Sequence, residues 1–596
     1  MNILLTAINA KYIHSNLAVY SLRACAGEYR DTVELAEYTI NNQKDYILEE
    51  LYKRKPDVLC FSCYIWNIDY VTDIAREYKK LCPSVPIWVG GPEVSYEVEA
   101  FLRENPYIDG VMIGEGEDTF RELCGYYAHK RKLSDIAGIA FRKNSTDGKT
   151  DEIVFTSPRP IKNMSEIPFC YDTLDDFSNR IIYYESSRGC PFSCSYCLSS
   201  VDKTLRFRDT EIVKRELKFF IDQKVPQIKF VDRTFNCNHA HAMELWRFIK
   251  ANDNGVTNFH FEISADLLNQ EELELISDMR PGLIQLEIGV QSTNEVTIKE
   301  IHRTMKLERL KEVVRLIQSG NNIHEHLDLI AGLPYEDYDS FGRSFDEIYE
   351  LRPNQLQLGF LKVLKGSYMF EHAAEYGIVY HDKPPYEVMS TKWLSFDDVI
   401  KIKRVEEMLE VYYNSGQFEI TMKLMECIFD SAFEFFQELG DFYEANGYFG
   451  MSHSRIRRCE ILLEFLALYL HGCDSDDMTS EGLSENAGDR DNTDFDENAQ
   501  LYSMIQESLI FDLYYRENCK SRPVWATDIG SFKHMTHAYC KNGKLSHVEP
   551  FHYIFPDKHT RKPDELPKYH KEPVWALFHY DMRDPLDHQA MVEYIE

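Results

Sequence analysis

The strongest constraint in this sequence is an alternation of short apolar runs with amphipathic helical stretches, which begins at the first residues and begins again near residue 180. The runs NILLTAI (2–8), TVELAEY (32–38), DVLCFSCYIW (57–66), VPIWVGG (85–91) and IDGVMIGEG (108–116) have strand length and strand composition. Between them NLAVYSLRACAGEY (16–29), KDYILEELYKRK (44–55), VTDIAREYKKL (71–81) and EDTFRELCGYYAHKR (117–131) carry apolar residues at helical spacing. Such alternation folds as a parallel sheet covered by helices on both faces, so residues 1–140 are expected to form an α/β, doubly wound, Rossmann-like domain. Ligands of these sheets bind beyond the carboxyl ends of the strands. Gly90, Gly91, Gly114 and Gly116 fall at those ends, where missing side chains let a large flat ligand approach the backbone.

Residues 141–180 read as a connecting arm, with the polar turn KNSTDGKTDE and the prolines of SPRPIKNMSEIPF. A second series follows over 181–390, with strand candidates RIIYYES (180–186), QIKFVD (227–232), FHFEISA (259–265), LIQLEIGV (283–290), HLDLIAG (326–332) and NQLQLGFLKVL (354–364). Six strand–helix units are too few for a closed eight-unit barrel and imply a partial TIM-like barrel. Residues 391–596 turn to helical patterns, including EITMKLMECIFDSAFEFFQELGDFYEANG, and form a mostly helical accessory domain. Within it, 474–498 holds ten acids and one base and reads as a disordered, solvated insertion.

The chemistry concentrates in YYESSRGCPFSCSYCLSS (183–200), where Cys190, Cys194 and Cys197 follow a strand in a C-x3-C-x2-C pattern. Structural zinc takes four protein ligands, often as two C-x2-C pairs, and neither a second pair nor Cys237 at normal spacing completes such a set. A 4Fe–4S cube also uses four ligands; three thiolates leave one iron open for a small chelating molecule. Cys60 and Cys63, three apart in an apolar run, project to opposite faces and read as small core residues rather than as half of another cluster.

The run SSRGCPFSCSYC resembles the cluster loop of the radical S-adenosylmethionine (radical SAM) superfamily, in which S-adenosylmethionine chelates the open iron and is reductively cleaved to a 5′-deoxyadenosyl radical. By that resemblance KFVDRTFN (229–236) offers Asp232 and Arg233 to the methionyl amine, although many members carry Gly-Gly-Glu there. FEISADLL (261–268) and LEIGVQS (286–292) likewise offer Glu262, Glu287 and Gln291 to the carboxylate or ribose, with ion pairs inside the barrel as the structural alternative for the two glutamates. LIAGLPYE (329–336) places Gly332 beside the adenine.

A doubly wound domain ahead of such a barrel is similar to the cobalamin-dependent branch of the superfamily. FSCYIWN (61–67), VGGPEVS (89–95) and IGEGEDTF (113–120) resemble the loops around the corrin, which implies a cobalamin site at Ser62, Tyr64, Gly90, Gly91, Glu93, Gly114, Glu115 and Gly116. The D-x-H-x-x-G motif that supplies a lower cobalt ligand in many cobalamin domains is replaced by INAKYIHSNLA. His14 either approaches the ligand or, as the favoured reading, stabilises the following helix start, and without a lower histidine the cobalt is expected to bind base-off, with water or a side chain beneath. Reading Cys60 and Cys63 as core residues weighs against a methylthiotransferase, whose first domain supplies three cysteines to an auxiliary cluster.

The resemblance implies a methyltransferase acting on an unactivated carbon of an unknown substrate. Its rivals are a radical rearrangement or cyclisation, a non-catalytic cobalamin or redox sensor, and a zinc module. It also implies a reducing partner such as flavodoxin or ferredoxin. The net charge of −32 argues against a broad nucleic-acid surface. There is no apolar run of membrane-spanning length and no secretory leader pattern, and fifteen scattered cysteines fit a reducing cytoplasm.

Overall fold

A computed structural model describes the chain except for residues 144–151, 178, 202, 472–491, 541–544, 556–565 and 596. It is an α/β protein of two units. The first comprises Met1–Ile323, Gly332–Glu336 and Phe360–Ser395, the second His324–Ala331, Asp337–Gly359 and Phe396–Glu596.

The first unit opens with β1 (Ile3–Asn9), β2 (Val33–Thr39), β3 (Val58–Ser62), β4 (Ile87–Gly90) and β5 (Gly110–Met112). They pair in parallel in the order β2-β1-β3-β4-β5, so the switch point lies between β1 and β3. Every residue of β1 and β3 is buried, as befits strands covered on both faces. Leu4, Ile8, Phe61, Val89 and Val111 pack against Ile47, Leu51, Ile74 and Tyr78 of the covering helices.

Two strands were not expected. β6 (Ile139–Lys143) and β7 (Glu152–Phe155) add antiparallel to β5, so the stretch assigned to a connecting arm from 141 begins as sheet. The polar turn hid them: IAFRK buries only its first three residues, and EIVF is short and half-exposed at the edge.

A second parallel array in the same unit contains β8 (Ile182–Tyr184), β11 (Gln227–Phe230), β12 (Asn258–Ile263) and β13 (Ile284–Gln291), ordered β13-β12-β11-β8. Between β8 and β11 a small antiparallel ribbon, β9 (Ser187–Arg188) with β10 (Arg206–Phe207), brackets the three-cysteine loop. Phe230, Phe235, Phe261 and Trp246 fill the space between strands and covering helix. The chain passes through β14 (His324–Ala331) and β15 (Gln355–Phe360), which belong to the second unit except for Phe360. The first unit closes with the antiparallel pair β16 (Val379–Tyr380) and β17 (Val388–Ser390).

The second unit is mainly helical, with helices Phe396–Leu409, Glu419–Ile428, Ala432–Ala445, Arg455–His471 and Asn492–Arg516. The stretch 419–445, expected as continuous helix, breaks where Ser431 caps the second helix by accepting from Glu434 N at 3.0 Å. Asp512 is fully buried and accepts from Ile420 N and Thr421 N, both at 2.9 Å, so it caps the Glu419–Ile428 helix from a distance; burial pushes its carboxyl up to about 7 despite those bonds. The acidic insertion 474–498 lies outside the described residues up to 491, and its remaining residues open a helix instead of a coil. The chain ends in an antiparallel sheet, β18 (Ser546–Tyr553), β19 (Tyr569–Arg583) and β20 (Ala590–Ile595), within the part expected to be helical. Pro550 and Pro573 stand inside β18 and β19 and read in sequence as breakers.

The Trp88 ring of β4 lies over Gly110 of β5, where an added Cβ would come within 2.3 Å of the indole, and its Nε1 donates to Tyr127 Oη at 2.6 Å. Gly110→Ala is therefore expected to cost about 1–3 kcal/mol and to lower the thermal unfolding midpoint of the full chain. An unchanged midpoint would contradict this packing.

Candidate functional site

The cysteine loop is anchored from below. Asp232, just past β11 and fully buried, accepts from Ser186 N at 2.9 Å, Ser186 Oγ at 2.6 Å and Ser187 Oγ at 2.7 Å. His241 Nε2 lies 3.0 Å from Ser186 Oγ; burial drops its pKa to about 4, so the neutral ring donates to Ser186, which donates to Asp232. Burial pushes the Asp232 carboxyl up to about 6, with the serine hydrogen bonds opposing it. Asp232, expected as a cofactor contact, thus spends its oxygens on holding the entry to the loop.

Cys190 is buried, with Sγ 3.7 Å from Thr234 Oγ1, whereas Cys194 and Cys197 are half-buried. Arg303 donates to Cys194 Sγ at 3.8 Å, to Tyr196 Oη at 3.2 Å and to the Gly289 carbonyl. Burial raises the Cys194 thiol and the Arg303 charge works the other way, toward the thiolate a metal requires. Gln291, at the end of β13 with φ +77°, lies against Gly289, where an added Cβ would meet its Nε2 at 2.3 Å. Ser195 Oγ, Gln291 Oε1 and Arg303 Nε are buried without a hydrogen-bond partner. Those orphaned atoms beside three thiols suit a polar ligand seated on a cluster. Among the described residues no three His, Cys, Asp or Glu side chains converge to share one metal ion; a cube needs only one thiolate on each of three irons.

Above the loop a cavity of about 830 Å³ opens onto the carboxyl ends of the first sheet and the cysteine-bearing array together. From the expected cobalamin set it is lined by Ser62, Tyr64, Gly90, Gly91, Gly114, Glu115 and Gly116, and from the expected S-adenosylmethionine set by Arg233 and Glu262. Ser187, Arg188 and Gly189, which lead into Cys190, complete the contact between the two sets. The Tyr64 ring stacks on Trp66 with centroids 4.4 Å apart, and Trp66 Nε1 donates to the Ile8 carbonyl at 3.1 Å across the switch point. Gly114 faces open space, as a ligand approach requires, whereas Gly91 (φ +119°) serves the backbone: a Cβ there would sit 2.4 Å from the Cys63 carbonyl.

Other expected residues are placed differently. Glu287 accepts from Lys229 Nζ and His260 Nε2, both at 2.8 Å; burial opposes its charge, but those partners hold the carboxyl well below the usual range. It is the internal ion pair weighed as the structural alternative. Glu93 accepts from Tyr386 Oη, lies 3.8 Å from Lys365 Nζ and does not line the cavity. Glu115 pairs with Arg206 and, at 3.4 Å, with Arg188. Gly332 (φ +88°) makes room for Val388, which a Cβ would approach to 2.7 Å. Cys60 and Cys63 are fully buried, and burial raises both thiols. The helix after β1, Leu17–Cys25, is capped by Asn16, which accepts from Val19 N at 3.3 Å, so His14 does not have the helix-start role expected for it.

Sequence reasoning missed Arg188, Arg303, Lys229, His260 and Tyr183. Arg188 stood inside the quoted motif without a role. Lys229, His260 and Tyr183 share one register row across β11, β12 and β8, which only strand pairing reveals.

A B12 binding domain model matches residues 3–124, a radical SAM superfamily model matches 184–348, and a family described as a protein of unknown function (DUF4080) matches 374–591. The chain is a radical SAM protein with a B12-binding domain. It is 27% identical over 350 residues to the cobalamin-dependent radical SAM methyltransferase TokK of Streptomyces tokunonensis, covering 55% of this chain and 49% of TokK. It is 23% identical over 344 residues to the anaerobic magnesium-protoporphyrin IX monomethyl ester cyclase of Rubrivivax gelatinosus, covering 55% and 60%. The chain spans about half the length of the curated relatives it matches. The solved structure of the cobalamin-dependent S-adenosylmethionine radical enzyme OxsB, with aqua-cobalamin and S-adenosylmethionine bound, matches with TM-score 0.54 at 16% identity, over 86% of this chain and 80% of OxsB, which establishes a common fold.

Asp232→Ala leaves the Ser186 and Ser187 donors buried without their acceptor, at about 1–3 kcal/mol. The variant is expected to hold less iron per chain than the parent after anaerobic reconstitution, and to melt at a lower temperature. Unchanged iron content would contradict its anchoring role.

Proposed function

We propose that this radical SAM protein is a cobalamin-dependent methyltransferase acting on an unactivated carbon. The observation that supports this best is the single cavity shared by the strand-end glycines of the B12-binding domain and the strand ends that flank the three-cysteine loop. Cys190, Cys194 and Cys197 hold a 4Fe–4S cluster in this reading. Arg233, Glu262 and Gln291 border S-adenosylmethionine, and Ser62, Tyr64, Gly90, Gly91, Gly114 and Gly116 border cobalamin. When bound, the cluster supplies the electron that cleaves S-adenosylmethionine, and cobalamin carries the transferred methyl group.

The chain's own residues bind, orient and exclude water. Arg303 offsets the negative charge of the cysteine loop. Lys229 and His260 pair with Glu287, so its carboxylate is not left as an isolated charge. Phe169, Tyr171, Tyr183 and Tyr184 line the cavity with rings that keep it dry. Asp232, Glu93 and Glu115, which bond to protein groups, act as positioning residues. A low-potential carrier such as flavodoxin or ferredoxin supplies the electron.

The likeness to a cyclase favours one second reading, a cyclisation or rearrangement without methyl transfer. Anaerobic reconstitution with iron, sulfide and cobalamin, followed by turnover of S-adenosylmethionine labelled in its methyl group, separates them. Bound cobalamin and iron, 5′-deoxyadenosine and label carried into a product are expected. 5′-Deoxyadenosine with unlabelled product would favour the second reading, and absence of both cofactors would overturn both.

A further inference from the structure

His14 follows β1 at the switch point and, among the described residues, is the one histidine that lines the cavity. Its backbone is fixed from several sides. The His14 carbonyl accepts from Asn9 Nδ2 at 3.1 Å, Ile181 N donates to the Ile13 carbonyl at 2.8 Å, and Ser15 Oγ donates to the Ile181 carbonyl at 2.8 Å. The ring is oriented by the cysteine-bearing array, with Nδ1 lying 2.7 Å from Tyr183 Oη. Nε2 has no hydrogen-bond partner among the described residues. Burial, with Lys11 and Lys229 nearby, lowers the pKa of His14, and burial pushes the Tyr183 phenol up to about 12. At neutral pH the hydroxyl therefore donates to Nδ1 of a neutral ring, and the proton sits on Nε2 until a Lewis acid replaces it or the tautomer reverses. One nitrogen held by a fixed partner and the other left unbonded, on a residue that lines a cavity, is the arrangement of a metal-ligating histidine. The sequence role that competed with it, helix capping, belongs to Asn16.

We infer that His14 is an axial nitrogen donor to the cobalt of a corrinoid bound in this cavity, oriented by Tyr183 from the neighbouring array. The inference rests on the reading that cobalamin occupies the cavity. The bond is a lone-pair donation from Nε2 to cobalt, and the displaced Nε2 proton moves to Nδ1, with Tyr183 turning from donor to acceptor. An axial donor stabilises Co(II) over Co(I), so its removal eases reduction.

The test is electron paramagnetic resonance of the full chain loaded with cobinamide, which lacks the nucleotide base, and reduced to Co(II). A triplet nitrogen splitting on the cobalt lines is expected. It should become a doublet when the protein is grown on 15N-histidine, a readout that needs no variant and does not depend on turnover. His14→Ala should remove the splitting and shift the Co(II)/Co(I) midpoint to more positive potential, and Tyr183→Phe should lower the fraction of cobalt that carries the nitrogen. Bound Co(II) without a histidine-derived splitting overturns the His14 assignment and leaves the cobalamin reading standing. Failure to bind either cobinamide or cobalamin overturns both.

Discussion

Arg188 is the point on which the site depends. It stands two residues before the first cysteine of the loop, and its guanidinium lies 2.8 Å from Glu185 and from Glu117, and 3.4 Å from Glu115. Glu115 and Glu117 flank Gly116 at the end of the first sheet, so one half-buried cation ties the B12-binding domain to the cysteine loop. Arg206 with Glu115, and Lys162 with Asp118 at 2.9 Å, extend the seam. Half-buried pairs of this kind add little net stability. Such a seam fixes register between two elements better than apolar contact does.

The fold was largely legible because hydrophobic periodicity speaks directly for strands covered on both faces. The five parallel strands of the first sheet and the strands of the second series all form near their expected positions. The three thiols stood out as candidates by their spacing, and the glycines by their place after strands. What could not be read was the identity of each side chain's partner. Glu287 and Glu262 look alike as acids paired on adjacent strands, yet one is consumed by Lys229 and His260 while the other lines the cavity. Asp232 was placed at the right strand end, but its neighbours Ser186 and Ser187 lie far away in sequence and claim its oxygens.

The second unit shows the same limit in another form. Its helices follow from apolar spacing, but the closing sheet carries proline in two strands and alternates poorly. There pairing overrides propensity: Pro550 sits opposite Trp575, and Glu549, buried in β18, is compensated by Arg522 and by His547 at 2.6 Å. None of those partners is near in sequence except His547.

The central claim is that the corrinoid cavity borders the loop on which Cys190, Cys194 and Cys197 hold the cluster, through Ser187, Arg188, Gly189 and Ser199. The most direct measurement is the spin relaxation of Co(II) in the doubly loaded protein, with the cluster reduced and then oxidised. The account predicts that the reduced, paramagnetic cluster strongly speeds cobalt relaxation, because the two centres face each other across a shared space. Cobalt relaxation indifferent to the state of the cluster would contradict it.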